Sequence, residues 1–402
     1  MSRSLRAGWR VVASVSIAAL MLAACGSDKD TKSTGQQQGQ QQGQQTFALA
    51  FVGPLTGPNA NLGINIRNGA TVAVEEANKA GGNVRFQLKE FDTQGSPDQA
   101  STIKDKFIND ASIIGVVGPT FSGETRAVLP SLQEAGLVMV SASATNAQLP
   151  TVVPNETVFH RIVPDDDVQG KGITDYVSKK LAVKRAAYIH DNGDYGKPLA
   201  DGTREQLEKA GVTTVLTDAI DPKSQDFSAV VNKVRAINPA PDMVFYGGYY
   251  AEAGRLKKQL TDAGVRVRFV SGDGTLDAGF LQAAGPAAEG SQVTCACKLA
   301  TTDAGGRLGD FAKAYQARWN TPPGTYSTEG YDSANLLIKG INDGKTTRKA
   351  LLDYVEGLTT FDGVGKQIQF EANGNVKSGG VFVYEVKSGK LSVLGTTEEL
   401  LR

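Results

Sequence analysis

The chain has 402 residues, 40% of them apolar and 21% charged, so it is globular in composition and too long for one typical compact core. Lys plus Arg (42) equals Asp plus Glu (42), which argues against nucleic acid or another long polyanion as a partner. With three cysteines and two histidines, there is little from which to build a zinc site, a haem ligand pair or a disulfide scaffold, so we expect no metal and no cofactor.

The first 24 residues have the organisation of a bacterial export signal. Three arginines within the first ten residues precede an apolar run at 11–22, which is too short to span a bilayer comfortably. The run closes on Leu-Ala-Ala before Cys25, a pattern that resembles the lipobox of bacterial lipoproteins. We therefore expect residues 1–24 to be a signal peptide and Cys25 to be lipidated as the first mature residue. The alternative is an uncleaved signal anchor with a chance cysteine.

Residues 25–45 are predicted to form a flexible tether. Their second half reads QQQGQQQGQQ, a polar low-complexity tract with nothing to bury. Two or more acyl chains on Cys25 would hold this tether stably at a membrane. The folded body is therefore expected to begin near Thr46 and to lie outside the cytoplasmic membrane, at the cell surface or in the periplasm.

The body alternates short apolar strands with amphipathic helices, which is typical of parallel sheets covered on both faces. Strands are predicted at 47–53, 84–91, 113–117, 137–140, 158–163, 186–190, 214–217, 243–246 and 268–270. Helices are predicted at 64–80, 97–110, 165–181, 198–210, 227–237, 252–263, 308–319 and 327–342. The rhythm restarts after Pro164, and the end resembles a hairpin with turns at 373–374 and 388–389. The pattern therefore predicts an α/β fold of two doubly wound lobes.

Hydroxyl-rich loops follow two strands of the first unit. Ser122 follows the strand at 113–117 and is predicted to cap a helix beside free backbone N–H groups, an arrangement that binds a carboxylate or phosphate. The segment 141–145 brings more hydroxyls to the same sheet edge. The structural alternatives are a serine that only caps its helix and hydroxyls that only form turns.

The second unit offers a carboxylate and aromatic rings at its strand ends. Tyr195, Tyr249 and Asp273 each lie in a loop that follows a predicted strand. Acids and tyrosines in loops are often only solvated. Combined with the hydroxyls of the first unit, however, they suit a small zwitterion enclosed between the two units.

Signatures of catalysis were sought and are absent: the sequence has no phosphate-binding GxxxxGK[ST] loop, no GxSxG elbow and no HExxH motif. His190 precedes Asp191, but neighbouring residues on a strand point to opposite faces, so His160 and His190 are both interpreted as structural. Cys295 and Cys297 share one face of a predicted strand, where free thiols, a strained disulfide and core packing are all open.

The loops also carry a set of short motifs in a fixed order from about 47 to 382. They are Gly53-Pro54-Leu55-Thr56-Gly57, Ala80-Gly81-Gly82, Val117-Gly118-Pro119 with Ser122, Ser143-Ala144-Thr145, Asp194-Tyr195-Gly196, Asp226-Phe227-Ser228 and Tyr246-Gly247-Gly248-Tyr249. Through these motifs the chain resembles the leucine/isoleucine/valine-binding proteins, which are substrate-binding receptors of branched-chain amino acid ABC transporters. The motifs are specific to the superfamily more than to one ligand.

This resemblance implies a periplasmic-binding-protein fold of type I, in which two α/β lobes close on an amino acid at a three-stranded hinge. The implied crossings lie near Pro164, Cys297 and Gly365. Lobe 1 would comprise 46–164 and about 298–365, and lobe 2 would comprise about 165–297 and 366–402.

The resemblance also implies which residues of this chain bind the charged groups of the ligand, because they stand at the matching positions of the motifs. Ser122 and Thr145 would bind the α-carboxylate. Ser143, through its backbone carbonyl, would hold the ammonium together with Thr145 and Asp273. The family usually has Glu where this chain has Asp273, which changes the reach of the side chain and keeps its charge.

Tyrosine rings would flank the side chain of the ligand. The resemblance implies that Tyr195, Tyr249 and Tyr326 do so, and Leu62 stands where well-studied members carry an aromatic residue. Burying an aliphatic side chain against such rings contributes roughly 1.5–3 kcal/mol, which favours Leu, Ile or Val over short polar amino acids.

We therefore expect a non-catalytic receptor that delivers a branched-chain or related aliphatic amino acid to an ABC permease and its ATPase. One alternative is a receptor of the same fold for an amide, urea, an aromatic acid or a short peptide, and another is a sensor that feeds a signalling partner. An enzyme would need a nucleophile or paired acids in the cleft, where Asp191, Asp194 and Asp273 are the candidates. We expect a monomer.

Overall fold

The computed structural model describes residues 45–377 and 379–402. The predicted signal peptide, Cys25 and all but the last residue of the predicted tether lie outside the described residues. Strands occupy β1 (Gln45–Gly53), β2 (Val84–Asp92), β3 (Ile113–Val117), β4 (Met139–Ser141), β5 (Phe159–Arg161), β6 (Arg185–His190), β7 (Thr213–Ala219), β8 (Met243–Gly247), β9 (Arg268–Ser271), β10 (Gln292–Cys295), β11 (Phe361–Asp362), β12 (Gln367–Ile368), β13 (Phe382–Lys387) and β14 (Lys390–Thr396).

Helices connect most of these strands. They are α1 (Ala60–Ala80), α2 (Pro97–Ile108), α3 (Ser122–Glu134), α4 (Asp166–Asp175), α5 (Gly196–Lys209), α6 (Ser228–Ala236), α7 (Tyr250–Asp262), α8 (Ala278–Ala284), α9 (Gly306–Trp319), α10 (Ser327–Asn342), α11 (Arg348–Glu356) and α12 (Thr397–Leu400). A π-helical turn at Tyr176–Lys180 continues α4.

Two large sheets carry the fold, as the alternating pattern predicts, and β11 and β12 form a separate two-stranded sheet. The first has the order β2-β1-β3-β4-β5, and all of its pairs are parallel. The second has the order β14-β13-β10-β9-β8-β6-β7, in which β13 and β14 run antiparallel to their neighbours. The predicted α/β class with two doubly wound sheets is thus confirmed. The predicted turn at 388–389 joins β13 to β14 in a tight hairpin.

The order of strands reverses at β1 in the first sheet and at β6 in the second, since β1 lies between β2 and β3 and β6 lies between β7 and β8. In open α/β sheets a ligand binds beside such a reversal, outside the carboxyl ends of the strands. The loops after β1, β3, β6 and β8 are therefore the ones that the topology places at a binding site.

The segment 306–356 returns to the first sheet although it lies in the chain between β10 and β13 of the second sheet. Gly69 of α1 and Gly330 of α10 let the two helices approach closely, because an added Cβ would lie 2.0 Å from Ser327 O and 2.3 Å from Ile66 O, respectively. Leu337 and Leu351 pack over Gly115 of β3. The helices α10 and α11 thus cover the first sheet.

Some predicted boundaries differ from those observed. Helix α1 begins at Ala60, four residues before the predicted start, where the Asn61 N–H donates to the Tyr250 hydroxyl (3.2 Å) and Asn61 Nδ2 donates to Asp277 Oδ1 (2.8 Å). These bonds come from residues distant in sequence, so local propensity could not predict them. The short helices α8 and α11 were also missed.

Cys295 and Cys297, left open by the sequence, form a disulfide with their Cα atoms 5.0 Å apart. The expectation that both lie on one strand is wrong, because β10 ends at Cys295 and the chain bends at 296–297. Both cysteines are buried. His160 and His190 are buried as well, with the His160 ring against Phe370 (4.8 Å).

Candidate functional site

A cavity of about 290 Å³ lies where the loops of the two sheets face each other. Its walls come from the loops after β1, β2 and β3 of the first sheet and after β6, β7 and β8 of the second. The lining residues are Pro54, Pro58, Asn59, Gln94, Gly95, Pro97, Phe121, Gly123, Glu124, Asp191, Gly193, Asp194, Tyr195, Pro222, Tyr249 and Glu252. The cavity therefore lies at the edge that the strand order indicates.

Contacts between the two sets of loops close this cleft. The rings of Phe121 and Tyr249 lie 4.3 Å apart, and Arg126 Nε lies 3.2 Å from Asp194 Oδ1. Asn59 Nδ2 donates to Glu252 Oε2 at 3.3 Å. A ligand in this position would be enclosed by both sheets.

Tyr195 and Tyr249, two of the predicted ligand-binding residues, line the cavity. Their rings lie 5.2 Å apart. The Tyr195 hydroxyl donates to Asp273 Oδ1 at 2.8 Å, so Tyr195 joins the cavity to a buried polar cluster that contains two more of the predicted residues, Asp273 and Tyr326. Leu62 is buried in α1 and is not part of the cavity wall.

Asp273 is the centre of that polar cluster. Its Oδ1 accepts hydrogen bonds from Gln169 Nε2 (2.6 Å) and from Tyr195, and its Oδ2 accepts one from the Tyr326 hydroxyl. Burial raises the pKa of the Asp273 carboxyl, while these three donors act in the opposite direction. Tyr326 lies just before α10 with φ 68°, a left-handed conformation that is uncommon for a bulky residue.

The structure corrects the prediction that Ser122 caps α3. The helix begins at Ser122 itself, Phe121 occupies the N-cap position, and the Phe121 N–H donates to Glu124 Oε2 at 2.9 Å. The buried Ser122 hydroxyl accepts a hydrogen bond from the Asn146 N–H at 3.2 Å. Ser122 and Gly123 are in the first helical turn, where N–H groups have no intrahelical acceptor and the helix dipole favours an anion.

The loop after β4 presents the remaining predicted hydroxyls in two different ways. The Ser143 hydroxyl donates to Thr120 O at 2.6 Å and so holds two loops together. Thr145 is fully buried, and its hydroxyl lies beside the Asp166 carboxyl, where it acts to lower the pKa of that group. Arg161 fixes the loop around Thr145 by donating to Ala144 O (3.1 Å) and Asn146 O (2.8 Å).

Asp166 and Gln169, in the first turns of α4, belong to the cluster and were missed in the sequence. The Asp166 N–H donates to Thr145 O at 2.8 Å, and Gln169 Nε2 lies 3.3 Å from Asp166 Oδ1. Burial, and then the charge of Asp273, raise the pKa of Asp166 well above its usual range. Three consecutive acids after Pro164 suggested only a helix start, although the spacing of Asp166 and Gln169 by three places them on one face.

Three buried carboxyls, those of Glu124, Asp191 and Glu252, also lie in the cavity wall. Burial raises the pKa of Glu124 to about 8, that of Glu252 to about 7 and that of Asp191 to about 6. No lysine or arginine is among the lining residues of the described chain. An anionic side chain on the ligand would therefore meet carboxyls without a compensating cation.

Within residues 45–377 and 379–402, the titratable side chains include no group of three that could hold a metal ion. None of the helices in the same ranges is both long enough and apolar enough to cross a membrane.

Comparison with known proteins agrees with this architecture. A family model described as periplasmic binding protein matches residues 46–390. The chain is similar to Leu/Ile/Val-binding protein homolog 3 of Brucella melitensis, with 33% identity over 348 residues that cover 85% of this chain and 91% of the relative. It is also similar to the Leu/Ile/Val-binding protein of Escherichia coli K12, with 29% identity over 329 residues that cover 80% and 88%.

Solved structures of substrate-binding proteins are also similar to this chain. The branched-chain amino acid transporter substrate-binding protein LivJ from Streptococcus pneumoniae, in complex with isoleucine, matches with a TM-score of 0.79 and 27% identity. The match covers 87% of this chain and 100% of that chain.

Proposed function

This chain belongs to the periplasmic binding protein family, and we propose that it is the substrate-binding receptor of an ABC importer that captures a branched-chain or related aliphatic amino acid. The ligand binds in the cleft between the two sheets. One observation carries this proposal: Tyr195 lines the aromatic-walled cavity and also bonds to a buried cluster of hydroxyls and carboxyls. The names of the relatives, Leu/Ile/Val-binding proteins, support the choice of ligand.

The charged ends of the amino acid need opposite partners, because an unpaired buried charge costs several kcal/mol. The α-carboxylate binds Ser122 and Thr145 beside the N-terminus of α3, where the helix dipole adds to the attraction. The ammonium binds Asp273 and Thr145, with the backbone carbonyl of Ser143. Both groups of residues are buried in the closed cleft.

The side chain of the ligand packs against the rings of Tyr195, Tyr249 and Tyr326. Prolines from both sheets add apolar surface to the same cavity. Burial of an aliphatic side chain there contributes roughly 1.5–3 kcal/mol. The carboxyls in the wall disfavour aspartate and glutamate as ligands.

Closure takes place between two lobes that are built on the two sheets. Lobe 1 comprises 46–164 and about 298–365, and lobe 2 comprises about 165–297 and 366–402. The packing of α10 and α11 on the first sheet supports this division, since both helices lie in the chain between β10 and β13 of the second sheet. The hinge then lies near 164, 297 and 365.

The receptor works outside the cytoplasm, as a monomer held at the membrane by lipid on Cys25 and a tether at 25–45. Its partners are the permease and ATPase of the importer. Pull-down of a permease from detergent-solubilised membranes, lost when Cys25→Ser releases the protein, tests both the anchor and the partner. Recovery of a histidine kinase instead would indicate a sensor.

Thermal unfolding of the body from Thr46 onward, refolded to remove carried ligand, tests the ligand class. A ligand at a hundred times its Kd adds about 2.7 kcal/mol of stability, so leucine, isoleucine or valine should raise the melting temperature clearly. Mass spectrometry of the same mixtures should return every amino acid unchanged. Turnover in proportion to protein would contradict a receptor without catalytic activity.

The acid-rich cavity wall favours a second candidate, a receptor for an uncharged amide or urea. Glu124, Asp191 and Glu252 offer acceptors to N–H donors, and among the described residues no lysine or arginine lines the wall to pair with the carboxylate of an aromatic acid. The same melting screen separates the candidates. A shift with acetamide or urea, and none with any amino acid, would replace the amino acid assignment.

A further inference from the structure

Another cavity, of about 180 Å³, lies where the chain passes between the two large sheets. The chain makes this passage after β5, after β10 and again between α11 and β13. Ile162, Cys297, Lys366 and Gly380 all line the cavity, so each of the three connections contributes to its wall. Among the described residues, none lines both this cavity and the cleft between the loops. We call it the connection cavity.

Two opposite charges in the wall of the connection cavity lack hydrogen-bonding partners. Glu329, in the first turn of α10, is 7% exposed, and apart from its own N–H no described residue donates a hydrogen bond to its carboxyl. Lys366 is partly buried, and its Nζ makes no hydrogen bond and no ion-pair contact with a described residue. Buried charged groups in this state are unfavourable, so the pair points to a molecule that bonds both of them.

The two groups nevertheless act on each other through space. Burial raises the pKa of the Glu329 carboxyl and lowers the pKa of the Lys366 ammonium. Each charge partly reverses the effect of burial on the other, which shows that they face the same small volume. A ligand between them would therefore meet an anion and a cation together.

Asp332, the other acid of the connection cavity, has a structural role. Its Oδ1 accepts a hydrogen bond from the Val364 N–H at 2.8 Å, and its Oδ2 accepts one from the Gly365 N–H at 3.1 Å. These bonds hold the turn at 363–365 against α10 and so fix the backbone directly before Lys366.

The third connection also closes in on Lys366 from another direction. A Cβ added to Gly379 would lie 3.5 Å from Lys366 Nζ and 2.2 Å from Pro164 Cγ. Only a glycine fits there, because any side chain would collide with the proline. The ammonium of Lys366 is therefore held at the point where the first and third connections meet.

The charges in the wall select the chemistry of the ligand. A simple anion would pair with Lys366 and leave Glu329 without a partner, and a simple cation would do the reverse. A zwitterion satisfies both, since its carboxylate accepts from the lysine and its ammonium donates to the glutamate. The connection cavity is smaller than the cleft, at about 180 Å³ against about 290 Å³, so a small side chain fits it better.

We propose that the connection cavity is a second binding site, for a small zwitterionic amino acid such as glycine or alanine. Lys366 binds the carboxylate and Glu329 binds the ammonium, while Ile162, Leu308 and Phe382 supply apolar contacts. The site does not rest on the proposed function, because it shares no residue with the cleft. A ligand there touches all three connections and so stabilises the arrangement of the two sheets seen here.

Equilibrium dialysis with labelled alanine tests this site on the full chain, purified in detergent and refolded to remove carried ligand. Leucine at a hundred times its Kd fills the cleft during the measurement. About one equivalent of alanine per chain should remain bound under these conditions. Complete displacement of alanine by leucine, or no bound alanine at about 1 mM, would overturn the proposal.

Variants locate the bound alanine. Lys366→Met and Glu329→Gln should each weaken its binding roughly tenfold or more, because each leaves one charge of the zwitterion unpaired. Lys349→Met and Glu356→Gln are the matched controls, since both residues are exposed on α11, and they should stay within about twofold of the wild type. An unchanged affinity in Lys366→Met would contradict the site.

Analogues test the same contacts on the wild type and remain decisive if Lys366→Met does not fold. N-acetylalanine lacks the ammonium and alaninamide lacks the carboxylate, so each should bind roughly tenfold more weakly than alanine or worse. Equal binding of either analogue would show that the matching residue does not bind the ligand.

The outcomes separate this site from the proposed function. If leucine does not bind but alanine binds and is lost in Lys366→Met, the proposed function fails and the second site stands. If leucine binds and alanine does not bind beside it, the receptor assignment stands and the second site is wrong.

Discussion

Arg161 is the residue whose removal should damage this protein most clearly. Its side chain is fully buried, and Nη1 donates to the carbonyls of Ala144 (3.1 Å) and Asn146 (2.8 Å). Nε donates to Asn375 Oδ1 at 2.9 Å, and Nη2 lies 3.4 Å from Asp165 Oδ2. One guanidinium thus ties the loop around residue 145 to α4 and to the segment near 375.

Arg161→Met keeps much of the side-chain volume and removes every one of these donors. The partners left behind include a carboxylate and three neutral oxygens in a buried site, and breaking such a pair costs about 3–5 kcal/mol. With a urea m-value of about 3 kcal/mol per M for a body of this size, the unfolding midpoint should fall by about 1–1.7 M. Arg161→Lys should recover only part of the loss, because a lysine cannot reach three directions at once.

Urea unfolding followed by far-UV circular dichroism measures this change. Arg185→Met is the matched control, since Arg185 donates a single exposed bond to Pro239 O at 2.9 Å and should lose less than about 1 kcal/mol. Folded Arg161→Met should also bind leucine more weakly, because Thr145 lies between the two released carbonyls. A loss below 1 kcal/mol for Arg161→Met would refute the reasoning.

Three other expectations follow from the same structure. Burial raises the pKa of Glu124 from its usual 4.5 to about 8, so the stability that its protonated form provides is lost as the pH rises between those values; the unfolding free energy should fall by a few kcal/mol from pH 5 to pH 8, and Glu124→Gln should flatten the decline measured by urea titration. The Cys295–Cys297 disulfide closes a very short loop, so a double serine variant should lose only about 1–2 kcal/mol, and a loss above 4 kcal/mol in the same titration would disagree with this estimate. The Arg126 side chain is 35% exposed beside Asp194, so Arg126→Met should change the unfolding free energy by less than about 1 kcal/mol, and a larger, salt-sensitive loss would contradict a weak surface pair.

Much of the architecture could be predicted because buried parallel strands have sequences that are short, continuous apolar runs. The strand at 113–117, buried at every position, and the helices between such runs are local features. The sequence predicted the fold class but not which strands lie next to each other. Tyr195 and Tyr249 nevertheless follow predicted strands directly, and the strand order places both of those loops at the cavity. The motifs around Ser122 and Thr145 lie in loops at the same sheet edge for the same reason, and their role in binding stays a prediction.

Errors arose wherever a local pattern depended on a distant partner. Helix α1 starts early because Asn61 bonds Tyr250 and Asp277, and the N-cap of α3 falls on Phe121 because Glu124 takes its N–H. Cys295 and Cys297 could not be assigned from an assumed strand, since the bend that brings them together depends on where β10 ends.

The sequence by itself determined the order of strands and helices, the positions of the strand-end loops and the absence of common catalytic motifs. Tertiary structure decided which hydrogen-bond partners each polar group in the cluster has. Gln169 and Asp273 are 104 residues apart, and Arg161 and Asn375 are 214 apart, yet each pair shares a hydrogen bond. Whether a buried oxygen has a hydrogen-bond partner depends on such distant donors. For that reason the place of Asp166 in the polar cluster could be recognised only in the folded chain.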